Sequence, residues 1–284
     1  MTIRRFFGMT LCFFVLLSSE LEAQSKTPIL KKQFAESHSL SSLTEQSKRF
    51  HWPKELLKNK DAAYSVAKEK FNLYVPKSYK RSKKKYGLFV WIAPSHDGRP
   101  PPIWRSRFDK LKLIAIGADR SGNERQISVR IGLALDAVHN VTKNYRIDAE
   151  RIYVGGFSGG GRVSSYLTMH YPKIFRGGMY LGGCDYIRNV PIPGKNGSAW
   201  RGLITKPDKD RLKLAKQKTR HVFIVGTKDE VLGQMKAVKD CALADDFVFV
   251  KYIEIKNVAH RIPLARWFER CIKYMDKPPK PKPG

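Results

Sequence analysis

Apolar residues along this chain fall into short unbroken runs, separated by longer segments with helical spacing. "FNLYV" (71–75), "GLFVWIA" (87–93), "LKLIAIGA" (111–118), "RIYVGG" (151–156), "GGMYLGG" (177–183), "HVFIVG" (221–226) and "FVFVKYIEI" (247–255) read as strands. Between them, "ERQISVRIGLALDAVHNVTKNY" (124–145) places Ile127, Ile131, Leu135, Val138 and Val141 on one helical face, at spacings of four, four, three and three. "GGRVSSYLTMHY" (160–171) reads as a helix closed by Pro172, and 263–276 gathers Leu264, Trp267, Phe268, Cys271 and Met275 on one side. Short apolar strands alternating with helices predict an α/β fold, a mostly parallel central sheet with helices on both faces.

The pattern divides the chain into parts. The folded domain is expected over 71–276, behind a polar leader at 24–70 that is loose to about 50 and holds a possible helix at 53–70. The segment 184–206 is long and punctuated by Pro and Gly, as lids and substrate-binding walls are. The tail 277–284, "KPPKPKPG", reads as extended cationic chain. Residues 1–23 have the layout of a signal peptide: Arg4 and Arg5, an apolar stretch over 6–17, then Ala23 at a cleavable site. The expectation is a secreted or periplasmic protein with no transmembrane segment after cleavage. Cys12 would leave with the signal; Cys184, Cys241 and Cys271 remain, as one disulfide and a free thiol or as three buried thiols.

Charge narrows the partners more than the chemistry. Lys and Arg number 54 against 25 Asp and Glu, a net charge of +29 that favours polyanions such as acidic polysaccharides. The cations are scattered and not set in a recognition helix or zinc finger, so specific nucleic-acid readout is not expected. Neither a CxxC nor an HExxH is present, so no metal and no cofactor are called for.

The chemistry gathers at "RIYVGGFSGGGRVSSYL" (151–167), where five glycines surround one serine. "GFSGG" (156–160) fits G-x-S-x-G, and it lies where that motif must, between a strand and a helix. Ser158 is then a candidate nucleophile. A serine needs a histidine base held by a carboxylate, and on a strand–turn–helix scaffold the chain order is Ser, Asp or Glu, His. Asp229 in "HVFIVGTKDEV" follows a strand closely, and His260 in "YIEIKNVAHRIP" lies between the last strand and the last helix. Glu230 and His96 are the weaker rivals for the acid and the base.

With these residues the chain resembles the α/β-hydrolase superfamily, and within it the secreted esterases related to polyhydroxyalkanoate depolymerases and feruloyl or acetylxylan esterases. The likeness runs through "YVPKSY", "RIYVGGFSGGGRVSSYL", "GTKDE" and "AHRIP". It implies an α/β-hydrolase fold and a triad of Ser158, Asp229 and His260, with the Gly159 N–H as one oxyanion donor. One departure stands out. Such enzymes carry H-G-x-G after the first long core strand, whereas this chain has "IAPSHDGRPPP" (92–102). Pro94 has no N–H to give, so Ser95 or His96 must supply the second donor or the hole is incomplete.

The resemblance implies hydrolysis of carboxylic esters through an acyl-enzyme, on polysaccharide or polyester substrates; Trp104, Asn123 and Trp200 lie in segments placed to wall the pocket. Two alternatives stay open. One keeps the triad on peptides, as prolyl-oligopeptidase relatives do. The other is a non-catalytic cationic glycan-binding protein, its oxyanion hole disabled at Pro94. Oligomeric state is not legible.

Overall fold

The structure, a computed structural model, describes residues 28–277, so the stretch 1–23 expected to be a signal peptide and all of the tail beyond Lys277 lie outside the described residues. An eight-stranded sheet forms the centre, in the order β1 (Leu30–Lys32), β2 (Phe71–Tyr74), β4 (Leu113–Ala118), β3 (Tyr86–Ile92), β5 (Ile147–Phe157), β6 (Gly177–Leu181), β9 (Arg220–Gly226) and β10 (Val250–Ile255). β2 runs antiparallel to β1 and β4, and the strands from β4 to β10 are parallel. A separate hairpin joins β7 (Val190–Pro191) to β8 (Ala199–Trp200) inside the long loop anticipated at 184–206.

Every residue of β3, β4, β6 and β9 is buried, which is why these strands read as unbroken apolar runs and not as alternating ones. The period of two still sorts their side chains. Leu88, Val90 and Ile92 of β3 enter one core with α4 (Ile127–Asn144), α5 (Gly159–His170) and α7 (Leu232–Ala244). Phe89 and Trp91 enter the other with α3 (Arg105–Leu111) and α8 (Ala265–Met275).

From residue 28 onward the leader is not loose. β1 extends the sheet edge, and α1 (Leu43–Phe50) brings Phe50 into the core, where Trp52 stacks on it at 4.5 Å. The helix expected at 53–70 is a short α2 (Lys54–Lys58) followed by two 3₁₀ turns. The leader is held by polar groups of α4. Asp136 accepts the His38 N–H at 2.7 Å and the Tyr64 hydroxyl at 2.5 Å, and Gln46 donates to the Ser128 carbonyl at 2.7 Å. Burial pushes the Asp136 carboxyl up and the Tyr64 hydroxyl up as well. α4 is therefore buried on nearly all sides and not on one face alone. α3, α6 (Lys209–Gln217) and α7 are helices the periodicity did not predict. In α6 only Ala215 is buried, too little for an apolar stripe to show.

Among the described residues no helix is long and apolar enough to cross a membrane. Cys184, Cys241 and Cys271 are unpaired.

Candidate active site

β3 is flanked by β4 on one side and β5 on the other, so the crossover from β3 to β4 and the next, from β4 to β5, run in opposite directions across the sheet. In an open parallel sheet, such a switch point opens a crevice beyond the carboxyl ends of the strands. The segment 92–95 leaves β3 there and Ser158 leaves β5, so topology alone puts the serine at the crevice.

Ser158 is the N-cap of α5 and has φ 54° and ψ −121°. This is the left-handed half of the map, costly for a residue with a Cβ and kept only where the surroundings enforce it. The enforcing contacts are visible. The Ser158 N–H donates to the Leu181 carbonyl at 2.7 Å. A Cβ on Gly156 would lie 2.4 Å from the Gly160 backbone, and one on Gly160 would lie 2.0 Å from the Ile92 carbonyl oxygen. Strand, turn and helix thus touch backbone to backbone, which only glycine permits. The "GFSGG" stretch is a strand-to-helix elbow with its serine at the apex.

Asp229 and His260 meet as the chain order requires. His260 Nδ1 lies 3.0 and 2.9 Å from the two carboxylate oxygens of Asp229. The carboxylate side chain is 2% exposed and the imidazole 30%, so the acid is sealed behind a base that faces the mouth. Asp229 Oδ1 also accepts the Val231 N–H at 3.1 Å, which fixes the carboxylate in its turn. With Nδ1–H donated to Asp229, the Nε2 lone pair is left to act as base.

The loop after β6 joins the dyad to the elbow. A Cβ on Gly182 would meet His260 Cε1 at 3.0 Å and Asp229 Oδ2 at 3.1 Å. A Cβ on Gly183 would meet the Ser158 carbonyl oxygen at 2.3 Å. Phe157, next to the serine, packs its ring 4.5 Å from that of His260. Among the described residues no hydrogen bond joins Ser158 Oγ to His260. Catalytic contacts of this kind are commonly long before substrate binds.

The remaining candidates separate. Asn123 reaches the elbow: a Cβ on Gly159 would lie 2.1 Å from its Oδ1. Trp200 is half-buried on β8 beside Gly233 of α7. Trp104 is not a pocket wall. It is fully buried, stacked on Phe268 at 4.6 Å, and its Nε1–H donates to the Pro263 carbonyl at 2.9 Å. Its loop position suggested a wall, but the indole is the central filler between α3 and α8. Ser95 is exposed and its peptide packs on Gly122, while His96 faces the exposed Glu124 at 3.7 Å.

Two arginines at the site escaped the sequence reading. Arg162, one turn past Ser158, pairs with Asp185 at 2.5 Å and with Gln234 at 2.9 Å. Arg130 is buried in α4 and donates to the Ser121 carbonyl at 2.9 Å and the Ala93 carbonyl at 3.1 Å. Burial lowers its pKa to about 10, which leaves it a cation at neutral pH. The available signal was a lone arginine within an apolar helix face.

No family model matches the sequence, and no curated protein matches it. Solved structures do. A ferulic acid esterase shares 13% identity at a TM-score of 0.58, over 88% of this chain and 97% of that one. A ferulic acid esterase from Anaeromyces mucronatus, solved with ferulic acid, shares 16% at a TM-score of 0.56, over 76% and 86%. A Bacteroides ovatus protein assigned as a dipeptidyl aminopeptidase IV shares 15% at a TM-score of 0.52; 73% of this chain matches, spanning 33% of that one. At these identities the likeness is one of fold, and the fold of this chain is that of the α/β hydrolases.

Proposed function

We propose that this protein is a serine hydrolase that cleaves carboxylic esters through an acyl-enzyme. The observation that carries the reading is the His260–Asp229 pair packed against Phe157, the residue next to a serine held at φ 54° on a strand-to-helix elbow. In the first half-reaction Ser158 Oγ bonds to the ester carbonyl carbon, its proton passes to His260 Nε2, and the carbonyl oxygen becomes an oxyanion. Collapse breaks the bond to the alcohol, which leaves with the proton from His260. Water then repeats the sequence on the acyl-enzyme, releasing the acid and restoring Ser158. Asp229 stays ionised and steadies the imidazolium.

The ferulic acid esterases among the fold neighbours favour esters over peptides, and their chains are matched nearly end to end, unlike the peptidase assignment. An acidic polysaccharide carrying ester groups suits the charge. The segment 77–86, "KSYKRSKKKY", holds no carboxylate, and its Lys77, Lys80, Arg81, Lys83, Lys84 and Lys85 are all exposed. With Arg146 this cluster lies at the start of β3, the opposite end of that strand from the elbow, and so leaves the mouth open when a polymer binds. The segment 1–23 supports export to the periplasm or beyond.

Fluorophosphonate labelling tests the assignment. Wild type is expected to take one label and Ser158→Ala none, with unchanged thermal stability. Equal labelling in both would overturn the nucleophile; a folded wild type that takes no label would favour a non-catalytic binding protein.

A further inference from the structure

We infer that the side-chain amide of Asn123 is the second oxyanion donor, in place of the backbone N–H that Pro94 lacks. The inference rests on the acyl-transfer reading above and completes it. As the first residue of α5, Gly159 has an N–H without an intrahelical acceptor, and the residue is partly exposed. The Asn123 amide is the group set against that residue. From the position of a Cβ on Gly159, Oδ1 lies at 2.1 Å, Cγ at 2.8 Å and Nδ2 at 3.1 Å. Asn123 is exposed, and among the described residues its amide makes no hydrogen bond to the protein. It is a donor beside the elbow with nothing to donate to. A turn about its last torsion exchanges Oδ1 and Nδ2, so an anion at the Gly159 N–H draws Nδ2–H toward itself.

The neighbouring chain explains why this side chain takes the task. The loop leaving β3 uses its carbonyls inward: Pro94 O accepts the Asn123 N–H at 2.9 Å, and a Cβ on Gly122 would meet the Ser95 carbonyl carbon at 2.8 Å. The loop therefore clamps the 121–123 turn through its carbonyl groups. Arg130 completes the clamp from below, bridging the Ala93 and Ser121 carbonyls. It is a positioning residue, 5% exposed, and it ties the exit of β3 to the turn that carries Asn123. The clamp fixes the backbone from which the Asn123 side chain extends.

The test uses p-nitrophenyl acetate turnover and phenylboronic acid affinity, the boronate standing for the tetrahedral intermediate, on wild type, Asn123→Ala and Asn123→Asp. In both variants kcat is expected to fall about 10²- to 10³-fold, KM to move little, and boronate affinity to fall in parallel with kcat. Asn123→Asp keeps the shape, removes the donor and adds a charge that repels the oxyanion, so Asn123→Ala carries the size of the donor's effect. If wild type takes the fluorophosphonate label and both variants keep kcat within about threefold, roughly 0.65 kcal/mol, Asn123 is not the donor and the triad stands. If wild type neither labels nor turns over ester, both readings fall together.

Discussion

Asp229 grips His260 with both carboxylate oxygens, at 3.0 and 2.9 Å from a single ring nitrogen. A nearly sealed carboxylate against one N–H fixes the imidazole tautomer as well as its direction. Asp229→Asn offers an amide that can donate to Nδ1 and so stabilise the wrong tautomer, with little change in shape. We expect kcat to fall about 10⁴-fold with folding intact. Steady-state kinetics on p-nitrophenyl acetate check this, and a kcat within tenfold of wild type would remove Asp229 from the triad.

Gly159 and Gly160 are neighbours with different reasons to be glycine, and alanine tells them apart. At Gly160 the added methyl meets backbone, the Ile92 carbonyl oxygen at 2.0 Å, so β3 and α5 must move apart. Overpacking of this kind costs about 1–3 kcal/mol, and Gly160→Ala should lower Tm and weaken labelling together. At Gly159 the methyl meets the exposed amide of Asn123 at 2.1 Å, which can swing aside. Gly159→Ala should leave Tm nearly unchanged yet reduce kcat, because the displaced amide is the one assigned to the oxyanion. Thermal melts beside kinetics decide it; equal loss of Tm in the two variants would contradict the distinction.

The sheet was legible in the sequence because buried parallel strands must be apolar on both faces, and β3, β4, β6 and β9 are. The elbow was legible because backbone contact at Gly156 and Gly160 leaves glycine as the only choice. Asp229 and His260 were singled out by order along the chain, and the structure brings the two side chains into contact. The leader was misread because its attachment is polar: His38, Gln46 and Tyr64 dock on groups of α4 that a hydrophobic pattern does not register. Trp104 was misread for the opposite reason. Its flanks, "RPPPIW", are loop-like, whereas its indole fills the core under Phe268. Arg130 is a buried cation whose partners are carbonyls, and carbonyl positions leave no trace in a sequence.

His170 and His221 give the fold a dependence on pH. His170 is held down to about 3 and His221 to about 4, in both cases because burial disfavours the imidazolium. Each ring is committed as a neutral donor: His170 Nε2 lies 3.0 Å from the Thr205 carbonyl and His221 Nε2 3.0 Å from the Ala215 carbonyl, with the Tyr180 hydroxyl 2.7 Å from His221 Nδ1. The unfolded chain binds protons at both as pH falls through the ordinary value of 6.5, while the folded chain does not until about 4 and 3. Stability is therefore full above 6.5 and is lost on acidification, at up to about 1.4 kcal/mol per pH unit for each ring. Glu269 is held down to about 2 by Lys110 and Lys273, so its contribution goes only below its ordinary 4.5. Asp136, pushed up by burial, acts in the opposite sense and offsets part of the loss at the acid end. Between pH 6.5 and 5 the histidines dominate, and denaturant melts across that window should show unfolding free energy falling with pH. His38 is lowered too, by burial first, and adds in the same sense, so His221→Gln should remove part of the slope and leave the rest to His170 and His38. A wild-type free energy constant over the same window would mean that the two rings are not held neutral in the folded protein.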